Sequence, residues 1–108
     1  MSLLSAEELR LMRANSDSPD YGTNDPVPVV KLFTPGAGCT WLLTEIDPDN
    51  DRCFGLCDIG DGAELGYVML SEITGVPGLL VEKDLYVKLD KPLSFYTEAA
   101  RLAGRIVT

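Results

Sequence analysis

The stretch TWLLTEIDPDNDRCFGLC, Thr40 to Cys57, sets two apolar runs on either side of a group of aspartates. Thr40 to Ile46 and Arg52 to Cys57 are short and rich in β-branched, aromatic and aliphatic residues, the composition of strands. Asp47-Pro48-Asp49-Asn50-Asp51 between them consists of turn formers and is too short for a crossover helix, so the two runs are expected to pair antiparallel. Alternation puts Trp41 and Leu43 on one face and Leu42 on the other, with Phe54 and Leu56 opposite Cys53 and Cys57. Both faces are apolar, and such a sheet needs a cover on each side.

Val27 to Phe33 precedes this pair and Leu65 to Leu70 follows it, joined through the short segments Thr34 to Gly38 and Asp58 to Gly62. The four runs make an antiparallel meander, and Leu85 to Leu89 reads as a fifth strand. Gly36-Ala37-Gly38 suits a hairpin connection, while Gly55 and Gly66 inside strands mark a bulge, a close backbone approach or a place beneath a large side chain.

The covers are the terminal helices. Ser5-Ala6-Glu7-Glu8 has the form of a capping box and starts a helix over Ala6 to Ala14, with Leu4 and Leu9 spaced as a hydrophobic staple and Ala6, Leu9 and Met12 on one face. Asp90 as cap, Pro92 in the first turn and Gly104 after the last bound a second helix lined by Leu93, Tyr96, Ala100 and Ala103. Ser71 to Thr74 reads as one helical turn capped by Ser71. Asn15 to Pro28, with Tyr21 its only large apolar residue before Val27, is a polar loop. The expected fold is α+β in a single domain, 1–108: N-terminal helix 1–14, polar loop 15–28, antiparallel sheet of about five strands over 29–89, C-terminal helix 90–104.

The 108 residues are 45% hydrophobic, enough for one core, and carry a formal net charge of -8. That charge disfavours direct nucleic-acid binding, which depends on cationic side chains. No apolar run is long enough to span a bilayer and Met1 to Arg13 lacks the form of a signal peptide, so a cytoplasmic location without membrane association is expected.

The chain contains no histidine, which removes Ser-His and Cys-His nucleophiles and imidazole-containing zinc sites. Cys39, Cys53 and Cys57 do not match paired metal-binding spacings, and Cys53 and Cys57 lie about 13 Å apart along one strand, beyond disulfide reach. They read as reduced, buried small hydrophobes. Arg52, the one cation beside Cys53, points to the opposite face by alternation. Asp47 to Asp51 resembles the opening of a calcium loop with Asp58 at the twelfth place, but Arg52 occupies the glycine position, so a polar hairpin turn is the better reading and no metal or cofactor is expected. Glu45, Asp47, Asp49, Asp51, Asp58, Asp61 and Glu64 form an acidic edge relieved only by Arg52.

From Pro28 onward the wording is specific: PVVKLFTP (28–35), TWLLTEID (40–47), FGLCDIG (54–60), ELGYVMLSE (64–72), VEKDLYVK (81–88) and the closing KPLSFYTEAAR (91–101). These motifs resemble the bacterial domain-of-unknown-function family DUF2958. The resemblance implies a small stand-alone protein encoded among plasmid, integrative-element or prophage genes, without assigned substrate or catalytic residues. The chain departs from the family pattern in a short Ile73 to Leu79 segment.

The leading expectation is a non-catalytic accessory protein of a mobile element that binds another protein, a homodimer being one permitted arrangement. Trp41, Phe54, Tyr67 and Tyr86 are the candidate contacts, because aromatics dominate binding hot spots, with core placement as the alternative for each. A second reading is a DNA-mimicking inhibitor of a restriction, CRISPR or other nucleic-acid enzyme acting through Asp47, Asp49 and Asp51. A third is an enzyme or small-ligand binder with Lys31, Asp58, Glu64 and Tyr67 around a sheet pocket.

Overall fold

A computed structural model of the protein describes residues 3–18 and 24–108. Residues 19–23, in the middle of the expected polar loop and including Tyr21, lie outside the described residues, as do residues 1–2.

The expected α+β architecture is observed. Strands β1 (Val30–Phe33), β2 (Thr40–Ile46), β3 (Arg52–Asp58), β4 (Ala63–Met69) and β5 (Glu82–Lys83) form one antiparallel sheet in the order β4-β3-β2-β1-β5. Helices are α1 (Ala6–Ser16), α2 (Leu70–Thr74) and α3 (Leu93–Ala103).

The sheet separates two cores, as the alternation in β2 and β3 requires. Trp41, Leu43 and Cys53 face Val30, Leu32, Ile46 and the α1 residue Met12, while Leu42 and Leu56 face Leu93, Tyr96 and Ala100 of α3. One helix therefore closes each side. Ala6 and Ala103, expected on the buried faces of their helices, are exposed at the ends of those faces.

The capping box of α1 forms with both bonds: Glu8 N–H donates to Ser5 Oγ at 3.1 Å and Ser5 N–H donates to Glu8 Oε1 at 2.8 Å. The same Glu8 carboxylate lies 2.7 Å from Lys83 Nζ, tying the start of α1 to β5. At its other end Arg13 donates to the Pro48 carbonyl and the Asn50 side chain, holding the β2–β3 turn. Helix α1 runs two residues past Ala14 because Asn15 Nδ2 donates to the Thr44 carbonyl at 2.8 Å. Thr44 is the extra residue of a bulge between β2 and β3, and its hydroxyl donates to the Phe54 carbonyl at 3.2 Å.

Two strand boundaries and two helix caps also differ from the sequence reading, each for an identifiable reason. Strand β1 begins at Val30 and not Val27, since Pro26 and Pro28 have no N–H for a ladder. The fifth strand is Glu82–Lys83 and not Leu85 to Leu89: the Asp84 carboxylate accepts the N–H groups of Tyr86 and Val87, turning the chain out of the sheet. Asp90 does not cap α3; Asp25 does, accepting the Ser94 N–H at 2.9 Å and the Ser94 hydroxyl, while the Pro26 carbonyl accepts the Leu93 N–H. Ser71 does not cap α2. The cap is Asp51, whose carboxylate accepts from both the N–H and the hydroxyl of Ser71, each at 2.7 Å.

Candidate functional site

Strand β4 is the outer strand on its side of the sheet, seven residues long, whereas the opposite edge is the two-residue β5. Natural sheets usually blunt long outer strands with charge, proline or a covering element. Alternation sends Leu65 and Tyr67 to the α3 side and Glu64 and Val68 to the α1 side. Leu65 remains 50% exposed and Tyr67 56% exposed.

The cause is the position of α3, whose buried residues stand over Leu42 of β2 and Leu56 of β3. Between α3 and the face of β4 a groove of about 580 Å³ remains. Phe54, Leu65, Tyr67 and Leu93 give it an apolar lining, and Asp25, Glu45 and Glu98 give it acidic groups. The Tyr67 ring meets Phe54 edge-on, with centroids 5.1 Å apart, and carries the Arg52 guanidinium 4.8 Å from its centre.

The three acids differ in environment. Asp25 holds the start of α3 through Ser94. Glu98 is held below the ordinary glutamate range by its hydrogen bond from Arg101 on the same helix. Glu45 is pushed above that range by burial, and no hydrogen bond or ion pair reaches its carboxylate among the described residues.

A second hollow, about 400 Å³, lies along β4 beside Trp41, Cys57, Glu64 and Val68 of the α1 side and is also bordered by Leu65 and Tyr67. Gly66 opens into it without constraint, since an added Cβ would meet nothing within 4 Å. Gly55 is the constrained glycine of the pair, placed against the Leu42 backbone.

The aromatic candidates separate. Trp41 is 2% exposed and belongs to the α1 core, the core alternative for that residue. Phe54 and Tyr67 meet in the groove. Tyr86, 94% exposed, follows β5 at the opposite edge of the sheet.

The aspartates of the β2–β3 turn are engaged with backbone. Asp47 accepts the N–H groups of Asp51 and Arg52, which hold its carboxyl below the ordinary range, Asp51 caps α2, and Asp49 is exposed. Asn50 completes the turn with φ 58. Asp58, the far member of the calcium-like pattern, closes the other end of β3, about 20 Å from the turn at the usual rise per residue. It is buried and accepts from the backbone of Gly60 and Ile106.

Lys31, Asp58 and Glu64 line three different hollows and do not converge. Lys31 donates to the Thr108 hydroxyl at 2.7 Å and pairs with Asp84 at 3.7 Å. Among the described residues no three His, Cys, Asp or Glu side chains are grouped to hold a metal ion. Burial pushes the Cys53 thiol up to about 12 and the Cys57 thiol up to about 11, which suppresses thiolate chemistry at neutral pH. No helix among the described residues is long and apolar enough to cross a membrane.

The sequence reading included Phe54 and Tyr67 but not Leu65 or Asp25 as groove residues, and it counted Glu45 only within the acidic edge. Leu65 was legible from its alternation with Tyr67 in the last strand of the meander. Asp25 and Glu45 reach the groove by tertiary placement, for which no local signal exists.

The family model described as a protein of unknown function (DUF2958) matches residues 3–107, so the chain belongs to that family. Neither a curated protein nor a solved structure matches it significantly.

Proposed function

For this DUF2958 member we propose a role as a non-catalytic protein-binding module, an accessory protein of a bacterial mobile genetic element, that receives its partner on the β4 side of the sheet. The genetic setting is carried by the family resemblance. The binding reading is carried by one observation: a seven-residue outer strand keeps Leu65 and Tyr67 half-exposed beside an apolar groove. Exposed apolar residues gathered at a strand edge and rimmed by polar groups are the usual composition of an interaction surface. The DNA-mimic alternative draws less support, because Asp47 and Asp51 have their carboxylates turned into backbone hydrogen bonds.

The test is affinity capture from extracts of the native host with the wild-type chain, Leu65→Ser/Tyr67→Ser and Tyr86→Ser, with thermal melts of all three. Capture should be lost in the double variant and retained in Tyr86→Ser. Undiminished capture by a folded double variant removes the β4 surface from the interaction.

A further inference from the structure

Glu45 sits in the groove as a half-buried carboxylate that no hydrogen bond or ion pair reaches among the described residues, and the described groups around it are engaged elsewhere. Of the other two groove acids, Asp25 is bonded to Ser94 and Glu98 to Arg101. Arg52 lines the small hollow adjoining Glu45, yet its guanidinium lies over the Tyr67 ring and makes no ion pair with Glu45 among the described residues. A partly desolvated carboxylate without a counter-charge is unfavourable in the free protein and becomes favourable when a cation is brought to it.

From this geometry we infer that the groove takes a short apolar segment of a partner protein bearing a lysine or arginine, whose cation pairs with Glu45. The inference rests on the protein-binding reading of the β4 surface and specifies the chemistry of its occupant. Phe54, Leu65, Tyr67 and Leu93 supply contact for the apolar side chains and for the alkyl stem of the basic residue. A groove of about 580 Å³ accommodates a few side chains. The charge of -8 steers a basic segment toward the surface and opposes a second copy of the chain in the same place.

The experiment uses the intact chain, immobilised, and random peptides displayed on phage. Selected peptides are then synthesised and titrated against wild type, Glu45→Gln, Tyr67→Ser and Glu64→Gln, the last on the opposite face of β4. Selected sequences should carry Lys or Arg beside aromatic or aliphatic residues. Their affinity should fall about tenfold in Glu45→Gln, the scale of losing one close charge pair, and fall further in Tyr67→Ser while staying unchanged in Glu64→Gln. Leu65→Ser replaces Tyr67→Ser if melts show the latter unfolded.

Peptides without a cation, or binding that Tyr67→Ser weakens and Glu45→Gln does not, overturn the cation assignment and leave the protein-binding reading standing. Failure to select any binder, or binding indifferent to Tyr67→Ser and Leu65→Ser, overturns both. Self-association of the wild-type chain in sedimentation that Tyr67→Ser abolishes assigns the groove to a second copy and overturns the basic-segment occupant.

Discussion

Gly55 passes so close to Leu42 that a Cβ on it would stand 2.0 Å from the Leu42 carbonyl oxygen and 2.9 Å from the carbonyl carbon. The approach accompanies the bulge at Thr44, where β2 carries one residue more than β3.

Gly55→Ala is therefore expected to destabilise at the upper end of overpacking effects, about 3 kcal/mol, because the obstructing atoms are backbone shared by both cores. Gly66→Ala, directly across the ladder in open space, should cost little. Chemical denaturation of the two variants checks the contrast, and equal losses would refute it.

Asp51→Ala and Asp25→Ala each remove a helix cap supplied from a distant loop, and each should lower stability by about 1 kcal/mol. Asn replacements retain an acceptor and should recover most of that loss, which separates capping from charge in thermal melts.

Glu8 and Glu45 should give opposite pH signatures. In Glu8 burial favours the protonated form, but the hydrogen bonds from Lys83 and Ser5 outweigh it and its carboxyl lies below the ordinary range. Its contribution is present above the unfolded-state value and disappears as pH falls through the lowered folded-state value. The folded state instead holds a proton on Glu45 more tightly than the unfolded chain does, so Glu45 costs stability as pH rises past the ordinary glutamate value. Glu45→Gln should therefore gain on wild type between acidic and neutral pH, whereas Glu8→Gln should lose. Urea midpoints measured across that range check both signs.

Cys53 and Cys57 should react with an aromatic disulfide reagent far more slowly in the native protein at neutral pH than in denaturant, since burial disfavours their thiolates. Rapid native-state labelling of Cys53, mapped by mass spectrometry, would contradict its place in the core.

Much of the fold was legible because its signals are local. Alternation in Thr40 to Ile46 and Arg52 to Cys57 specified two faces, and Ser5 with Glu8 specified the start of α1. The errors fall where a side chain from elsewhere settles the outcome. The run Leu85 to Leu89 has strand composition, but Asp84 turns its backbone away, and Asp90 precedes α3 while the capping carboxylate arrives from Asp25. The groove was less legible than the fold, because it exists only through the offset of α3 from β4, a relation between elements distant in sequence.

The three helix starts also imply an order of assembly. Helix α1 carries both halves of its cap within its own first turn, whereas Ser71 waits for a carboxylate 20 residues upstream and Ser94 for one 69 residues upstream. A nascent chain stalled before Leu93 would already hold its meander yet leave Leu42 and Leu56 bare to water. Until α3 docks, those two side chains are exposed apolar surface, the feature that makes partly folded chains prone to aggregate.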